Sequence, residues 1–192
     1  MDSQKLIILD LDETLIYATE ENLKYDDGFK VGNYYVHPRP HLESFLRFCF
    51  AHFNVGVWTS SGETYAQLVV EAIFKPEQSL YFVWSRRRCV RRFDATRYEE
   101  YFIKDLNKLK KHGYQLKDMI DDTPRKLERH YGNLVRVSTF EGNTLDDELK
   151  LLSDYLATIS NVDDIRPLEK RGWRHRVERN SIKNEPNKNV PS

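Results

Sequence analysis

Short, unbroken apolar runs alternate along this chain with segments whose apolar residues recur at helical spacing. KLIIL at 5–9 and NVGVW at 54–58 are bounded by polar residues. Runs of that length without alternation suit strands buried on both faces of a parallel sheet. Leu80 to Trp84, Leu116 to Ile120 and Leu134 to Ser138 read as further strands. From His41 to His52, the positions of Leu42, Phe45, Leu46 and Cys49, with Phe53 beyond, predict a helix. A second helix is expected from Glu63 to Phe74, with Leu68, Val69, Ala72 and Ile73 on its apolar face and Ser60 or Ser61 as its cap. Asp105 to Lys111 is helical in pattern. Leu145, Leu149, Leu152, Tyr155, Leu156 and Ile159 outline an amphipathic helix over 145–159. After the first strand, residues 18–28 are polar and end on the turn signal Asp27-Gly28. FKVGNYYVHP then reads as a hairpin or flap about Gly32-Asn33, closed by Pro38 and Pro40. Strands alternating with helices predict an α/β fold, a parallel sheet with helices on both faces.

Composition sharpens this picture in three ways. A length of 192 residues is one domain, or one domain plus a tail, and is long enough to bury a core without metal or disulfide staples. Thirty basic residues balance thirty acidic ones, which excludes a strongly basic nucleic-acid binder or an acidic tail protein on bulk charge. After Asp164, however, eight Lys/Arg stand against three Glu with few apolar residues, so residues 166–192 read as a short extension near Trp173 followed by disorder. The two cysteines, Cys49 and Cys89, build neither a disulfide framework nor a zinc site and suit a reducing compartment. Only four apolar residues follow Lys5 before Asp10, too few for a signal peptide, and no run approaches the ~20 residues of a membrane span. A soluble cytoplasmic protein is expected, or a nuclear one in a eukaryotic host.

In open α/β sheets, ligands bind beyond the carboxyl ends of the strands. The residues that follow the predicted strands are Asp10, Asp12 and Thr14, then Thr59 and Ser60, then Asp121 and Asp122. Carboxylates converging on one rim repel and need a positive partner. Oxygen donors without Cys or paired His point to Mg²⁺, which keeps waters and binds substrate phosphate. Lys104 can neutralise the remaining phosphate charge. A carboxylate nucleophile beside a metal and a lysine fits phosphoryl transfer through an aspartyl-phosphate.

These residues carry a specific resemblance. DLDETL at 10–15 resembles the DxDxT motif of the haloacid dehalogenase (HAD) superfamily. VWTS at 57–60, IKDL at 103–106 and IDDTP at 120–124 resemble its later motifs, with 49, 45 and 17 residues separating Asp10, Thr59, Lys104 and Asp121. With Arg39-Pro40-His41 between them, the set is similar to the FCP/SCP-type phosphatases, which dephosphorylate the carboxy-terminal domain of RNA polymerase II and other proteins. The resemblance covers roughly residues 4–165 and implies a Rossmann-like HAD fold. It implies that Asp10 is the nucleophile, that Asp12 is the acid and base and binds Mg²⁺ through its carbonyl, and that Thr14 positions the loop. Thr59, with Ser60, contacts the phosphate, Lys104 neutralises it and the nucleophile, and Asp121 and Asp122 complete the metal site. Many members carry Asp-Asn where this chain has Asp121-Asp122.

About 25 residues between Thr14 and Arg39 are too few for a folded cap domain, so the resemblance implies an open site and a phosphate displayed on a larger molecule. The expected function is Mg²⁺-dependent hydrolysis of phosphoserine or phosphothreonine in a protein or peptide. Residues 1–165 would form the phosphatase domain. Arg86, Arg87 and Arg88, with Arg91 and Arg92, read either as a solvated edge strand or as a site for an acidic or phosphorylated partner. The same cluster and the basic tail around Arg171, Trp173, Arg174 and Arg176 motivate a second reading, a phosphatase of nucleotide or nucleic-acid ends. A third is a binding module with a vestigial site. Oligomeric state is left open.

Overall fold

The computed structural model describes residues 5–23, 28–111 and 118–184, excepting the side chains of residues 118 and 181–184. Its centre is a five-stranded parallel sheet built from β1 (Leu6–Leu9), β5 (Asn54–Trp58), β6 (Val83–Trp84), β9 (Asp118–Asp121) and β10 (Leu134–Arg136), in the order β10-β9-β1-β5-β6. β1 lies in the middle, with Leu9 paired to Val57 on one side and to Ile120 on the other. All four of its residues are buried. Their alternation divides the core in two. Ile7 and Leu9 join Phe45, Leu46, Cys49, Leu149, Leu152 and Leu156, whereas Leu6 and Ile8 join Trp58, Phe82, Trp84, Leu109 and Met119.

Helices α1 (Leu42–His52), α2 (Glu63–Ile73) and α4 (Glu148–Ile159) contribute to the first core, and the five-residue α3 (Asn107–Lys111) with a 3₁₀ turn at Pro124–Leu127 contributes to the second. The expected sheet with helices on both faces is therefore present, with its weight on one face. Two antiparallel insertions extend from it. β2 (Ile16–Thr19), β3 (Phe29–Val31) and β4 (Tyr34–Pro38) form a three-stranded flap ordered β2-β4-β3, and β7 (Val90–Asp94) pairs with β8 (Glu99–Ile103). Gly32 turns the flap hairpin with φ 59, in the left-handed region where glycine carries no steric cost. No large cap domain interrupts the described residues.

Several expectations change. The run from Leu80 forms a strand only at Val83–Trp84. The cap of α2 is Gly62, not Ser60 or Ser61. Leu145, assigned to the apolar face of α4, precedes the helix and is exposed. Residues 173–184, expected as an extension and then disorder, include helix α5 (Trp173–Asn184). Trp173 is buried, stacks on Tyr155 with ring centroids 5.4 Å apart, and donates its indole N–H to the Arg136 carbonyl at 2.7 Å. A lone aromatic in a polar sequence gives no helical period, so the packing was invisible to the pattern. The Asp27 side of the predicted turn, the start of the Leu116 strand and residues 185–192 lie outside the described residues.

Because Trp173 joins α5 to the main core, Trp173→Ala is expected to cost about 3–5 kcal/mol in urea denaturation. A cost near zero would mean that α5 is dispensable to the fold.

Candidate active site

The carboxyl ends of β1, β5 and β9 meet on one rim. β1 delivers Asp10, whose N–H donates to the Ile120 carbonyl at 3.0 Å, locking it beside β9. The chain then tightens: the N–H groups of Thr14, Leu15 and Ile16 all donate to the Leu11 carbonyl. Glu13 takes φ 61, a left-handed conformation that a side chain adopts only when its surroundings hold it there. Here Glu13 N–H donates to the Ile16 carbonyl at 2.7 Å and the Glu13 carbonyl accepts Phe140 N–H at 2.8 Å. The turn projects Asp12 to one side of Asp10 and Thr14 inward, where its Oγ1 accepts the Asp122 N–H at 3.2 Å.

Asp10, Asp121 and Asp122 are buried, and one carboxylate oxygen from each lies within 4.8 Å of the others. Two lysines balance them. Lys104 Nζ lies 2.9 Å from Asp10 Oδ1 and 2.6 Å from Asp121 Oδ2, with its side chain fully enclosed. Lys126 Nζ lies 2.7 Å from Asp10 Oδ2. Burial pushes the Asp10 carboxyl up, but the Lys104 and Lys126 ammoniums outweigh it and bring it down to about 2. At Asp121, burial and the Asp10 charge prevail over the same two lysines and push it up to about 6. Burial pulls Lys126 down, yet the carboxylates of Asp10, Asp121 and Asp122 hold it well above the ordinary lysine range. Asp122 also accepts the hydroxyls of Thr123 at 3.1 Å and Thr139 at 3.4 Å. Buried carboxylates with no nitrogen or sulfur donor among them fit a hard divalent cation.

Asp12 faces a different set of groups. Its Oδ2 accepts Ser61 Oγ at 2.6 Å and Thr59 Oγ1 at 3.3 Å, and its Oδ1 accepts the Tyr65 hydroxyl at 2.6 Å. Burial and the nearby Asp12 charge raise the Tyr65 hydroxyl's pKa, so it stays protonated and donates. Asp12, Ser61 and Tyr65 line an open cavity of about 370 Å³, together with Tyr34 from the flap and Arg86.

The sequence profile of the NLI interacting factor-like phosphatases matches residues 5–166. The chain belongs to this family. It is 26% identical over 174 residues to nuclear envelope morphology protein 1 of Schizosaccharomyces pombe, covering 86% of this chain and 35% of that one. It is 30% identical over 170 residues to CTD small phosphatase-like protein 2 of Dictyostelium discoideum, covering 84% of this chain and 28% of that one. The chain thus spans about a third of the length of these relatives. A solved structure of Fcp1, an essential RNA polymerase II CTD phosphatase, shares the fold with a TM-score of 0.52 at 21% identity, over 99% of this chain and 55% of that one.

In this chain Asp10, Thr14, Lys104, Asp121 and Asp122 form one group, and Asp12 accepts the Thr59 hydroxyl. Lys104 directly follows β8, which ends at Ile103. Ser60 contributes its carbonyl, which accepts Arg86 Nε at 2.6 Å, while the hydroxyl that reaches Asp12 belongs to Ser61. Of the three neighbouring arginines only Arg86 reaches the cavity. Arg87 pairs with Glu63 at 2.8 Å, and Arg88 lies over the Trp84 ring. Arg91 and Arg92 pair with Glu100 and Glu128, as an edge hairpin would. The basic segment after Asp164 is similarly engaged: Arg174 bonds Asp147, Glu148 and Glu178, Arg171 bonds Glu169, and buried Trp173 offers no stacking face.

Three functional groups escaped the sequence reading. Ser61 has the pattern of a helix cap, and Tyr65 lies in the first turn of α2 with no motif to mark it. Lys126 follows Asp122 by four residues, a separation that puts side chains on one face of a turn, and this was the available signal. Arg39, part of the Arg39-Pro40-His41 segment, is fully enclosed. It pairs bidentately with Asp146 at 2.8 Å and donates to the carbonyls of Thr14 at 3.1 Å and Ser138 at 2.9 Å. It fastens the flap to the loops around the acidic group.

Removing Lys104 leaves Asp10 and Asp121 with one fewer counter-charge in a buried site. Lys104→Met is expected to cost about 3–5 kcal/mol. In a double-mutant cycle, Asp121→Asn should show a coupling energy to it of about 0.5–3 kcal/mol. Strict additivity in urea denaturation would contradict the shared ion pair.

Proposed function

We propose that this protein is a Mg²⁺-dependent phosphomonoesterase that hydrolyses phosphoserine or phosphothreonine in proteins through an aspartyl-phosphate on Asp10. The observation that carries the proposal is that one sharp turn holds two carboxylates with different partners, Asp10 paired to two lysines and Asp12 bonded by three hydroxyls. Asp10 is held ionised at neutral pH by Lys104 and Lys126. Asp12 is surrounded by hydroxyls. Hydroxyls donate to a carboxylate and can turn to accept from a carboxylic acid, so Thr59, Ser61 and Tyr65 can hold Asp12 in both protonation states.

In the first step, an Asp10 carboxylate oxygen attacks phosphorus, the bond to the leaving oxygen breaks, and Asp12 gives that oxygen its proton. In the second step, Asp12 takes a proton from water, whose oxygen displaces Asp10 from phosphorus and releases inorganic phosphate. Lys104 neutralises the charge gathered at Asp10 and the phosphoryl group. The Thr59 hydroxyl, whose 3.3 Å bond to Asp12 is the longest of the three, can turn to a phosphoryl oxygen. Asp10, Asp121 and Asp122, with the Asp12 carbonyl, would hold Mg²⁺, and when bound it supplies positive charge to the phosphoryl oxygens.

The catalytic unit is the matched segment, with α5 docked on it. The open cavity and the Arg86 guanidinium in its lining support a phosphorylated side chain on a larger protein. The names of the relatives support the same substrate class. The free thiols of Cys49 and Cys89 support a reducing compartment, cytoplasm or nucleus.

Hydrolysis of p-nitrophenyl phosphate should require Mg²⁺ and vanish in Asp10→Asn; full turnover by that variant would sink the proposal. Tyr65→Phe removes one hydrogen bond to a charged group, worth about 1.5–3 kcal/mol, so kcat should fall roughly ten- to a hundredfold. Phosphopeptides should be turned over faster than 5′- or 3′-phosphorylated oligonucleotides, and Arg86→Ala should raise KM for the peptide more than for the aryl phosphate. The reverse preference would favour a nucleic-acid phosphatase.

A further inference from the structure

Lys126 is bound more evenly to the acidic group than a simple ion pair requires. Its ammonium lies 2.7 Å from Asp10 Oδ2, 3.5 Å from Asp121 Oδ1 and 3.5 Å from Asp122 Oδ1. The carboxylates it joins are the three that converge as a potential cation site. Lys104 differs: it reaches Asp10 and Asp121 through the other oxygen of each, from the enclosed side. Lys126 approaches from the rim, where its side chain keeps 16% exposure, on a four-carbon stem that can swing outward. Its backbone need not move with it. Lys126 N–H is held by the Thr123 carbonyl at 3.0 Å, and its own carbonyl accepts Lys104 N–H at 2.6 Å.

We propose that Lys126 is a built-in competitor of the divalent cation: its ammonium occupies the place among Asp10, Asp121 and Asp122 that the metal takes, and the metal enters as the side chain withdraws. This rests on the reading of these carboxylates as a cation site. Two ammoniums already offset most of the charge of three carboxylates. A dication added beside both would leave an excess of positive charge in a buried space, where like charges repel strongly. The metal-free protein is consequently charge-compensated and can fold with its site formed, and metal affinity is lower than the same carboxylates would give alone.

The experiment is isothermal titration of Mg²⁺ into the full chain without substrate, for the wild type, Lys126→Gln and Lys126→Arg. Lys126→Gln should bind Mg²⁺ tighter than the wild type by at least about tenfold, because the like charge is gone. Lys126→Arg, which keeps the charge, should gain nothing. The metal-free melting temperature of Lys126→Gln should fall below the wild type's, and saturating Mg²⁺ should raise it more than it raises the wild type's. If Lys126→Gln is unfolded without metal, Mg²⁺-driven folding read by circular dichroism replaces the titration, and the Kd obtained after correcting its midpoint for the unfolding equilibrium should lie below the wild-type Kd. Equal affinities for the wild type and Lys126→Gln, or a variant that Mg²⁺ cannot refold, overturn the competition. Absence of Mg²⁺ binding in all three overturns the cation site itself along with it.

Discussion

Three carboxylates buried at the end of a parallel sheet are the constraint around which this protein is arranged. Asp10 and Asp121 arrive from neighbouring strands and Asp122 follows directly, so the sheet register forces them together. Such a group is unstable without positive charge, because desolvation and mutual repulsion act in the same direction. Lys104 meets the group from the enclosed side and Lys126 from the rim. The two are also joined through the backbone by the bond from Lys104 N–H to the Lys126 carbonyl. With the Arg125–Glu99 ion pair and the Arg125 guanidinium over the Tyr101 ring, this bond holds the two segments together beside the strand ends.

Arg39 solves a second problem of the same kind. The loop after β1 must turn sharply, with Glu13 in a left-handed conformation, while the flap leaves and returns. A guanidinium with a fixed fork of donors can gather carbonyls from separate loops. Arg39 does this for Thr14 and Ser138 while its other edge is engaged by Asp146. The clamp ties the flap to the polypeptide leading into α4, so the mouth of the cavity and the acidic group share one support.

Much of this was legible in the sequence because buried strands and chemical motifs leave local signatures. The unbroken runs of β1 and β5 and the spacing of Leu42, Phe45, Leu46 and Cys49 each located an element. Asp10, Asp12, Thr59, Lys104, Asp121 and Asp122 stood at strand exits or in motif order. What failed to show depended on partners distant in sequence. β8 reads EEYFI, and its strand character follows from its pairing with β7, where Glu99 and Glu100 stand opposite Asp94 and Phe93 and Arg91 reaches Glu100 along the diagonal. Helix α5 has a polar sequence and docks through Trp173 and Val177. Tyr65 has the look of one more apolar helix residue until its hydroxyl is seen to meet Asp12. Lys126 is an ordinary surface lysine until the 3₁₀ turn at Pro124–Leu127 folds it back.

The β7–β8 hairpin leads straight into Lys104: Ile103 is the last residue of the ladder, paired with Val90, and the turn lies at the opposite end beyond Asp94 and Glu99. Side chains alternate between faces along a strand. Lengthening β8 by one residue would present Lys104 on the wrong side of the sheet's rim, whereas two would restore it. Insertions into this hairpin are therefore subject to a parity rule close to the site and escape it at the turn. Natural variation in its length should accordingly accumulate at the tip, leaving the mouth of the cavity free to acquire new shapes while the chemistry beneath keeps its geometry.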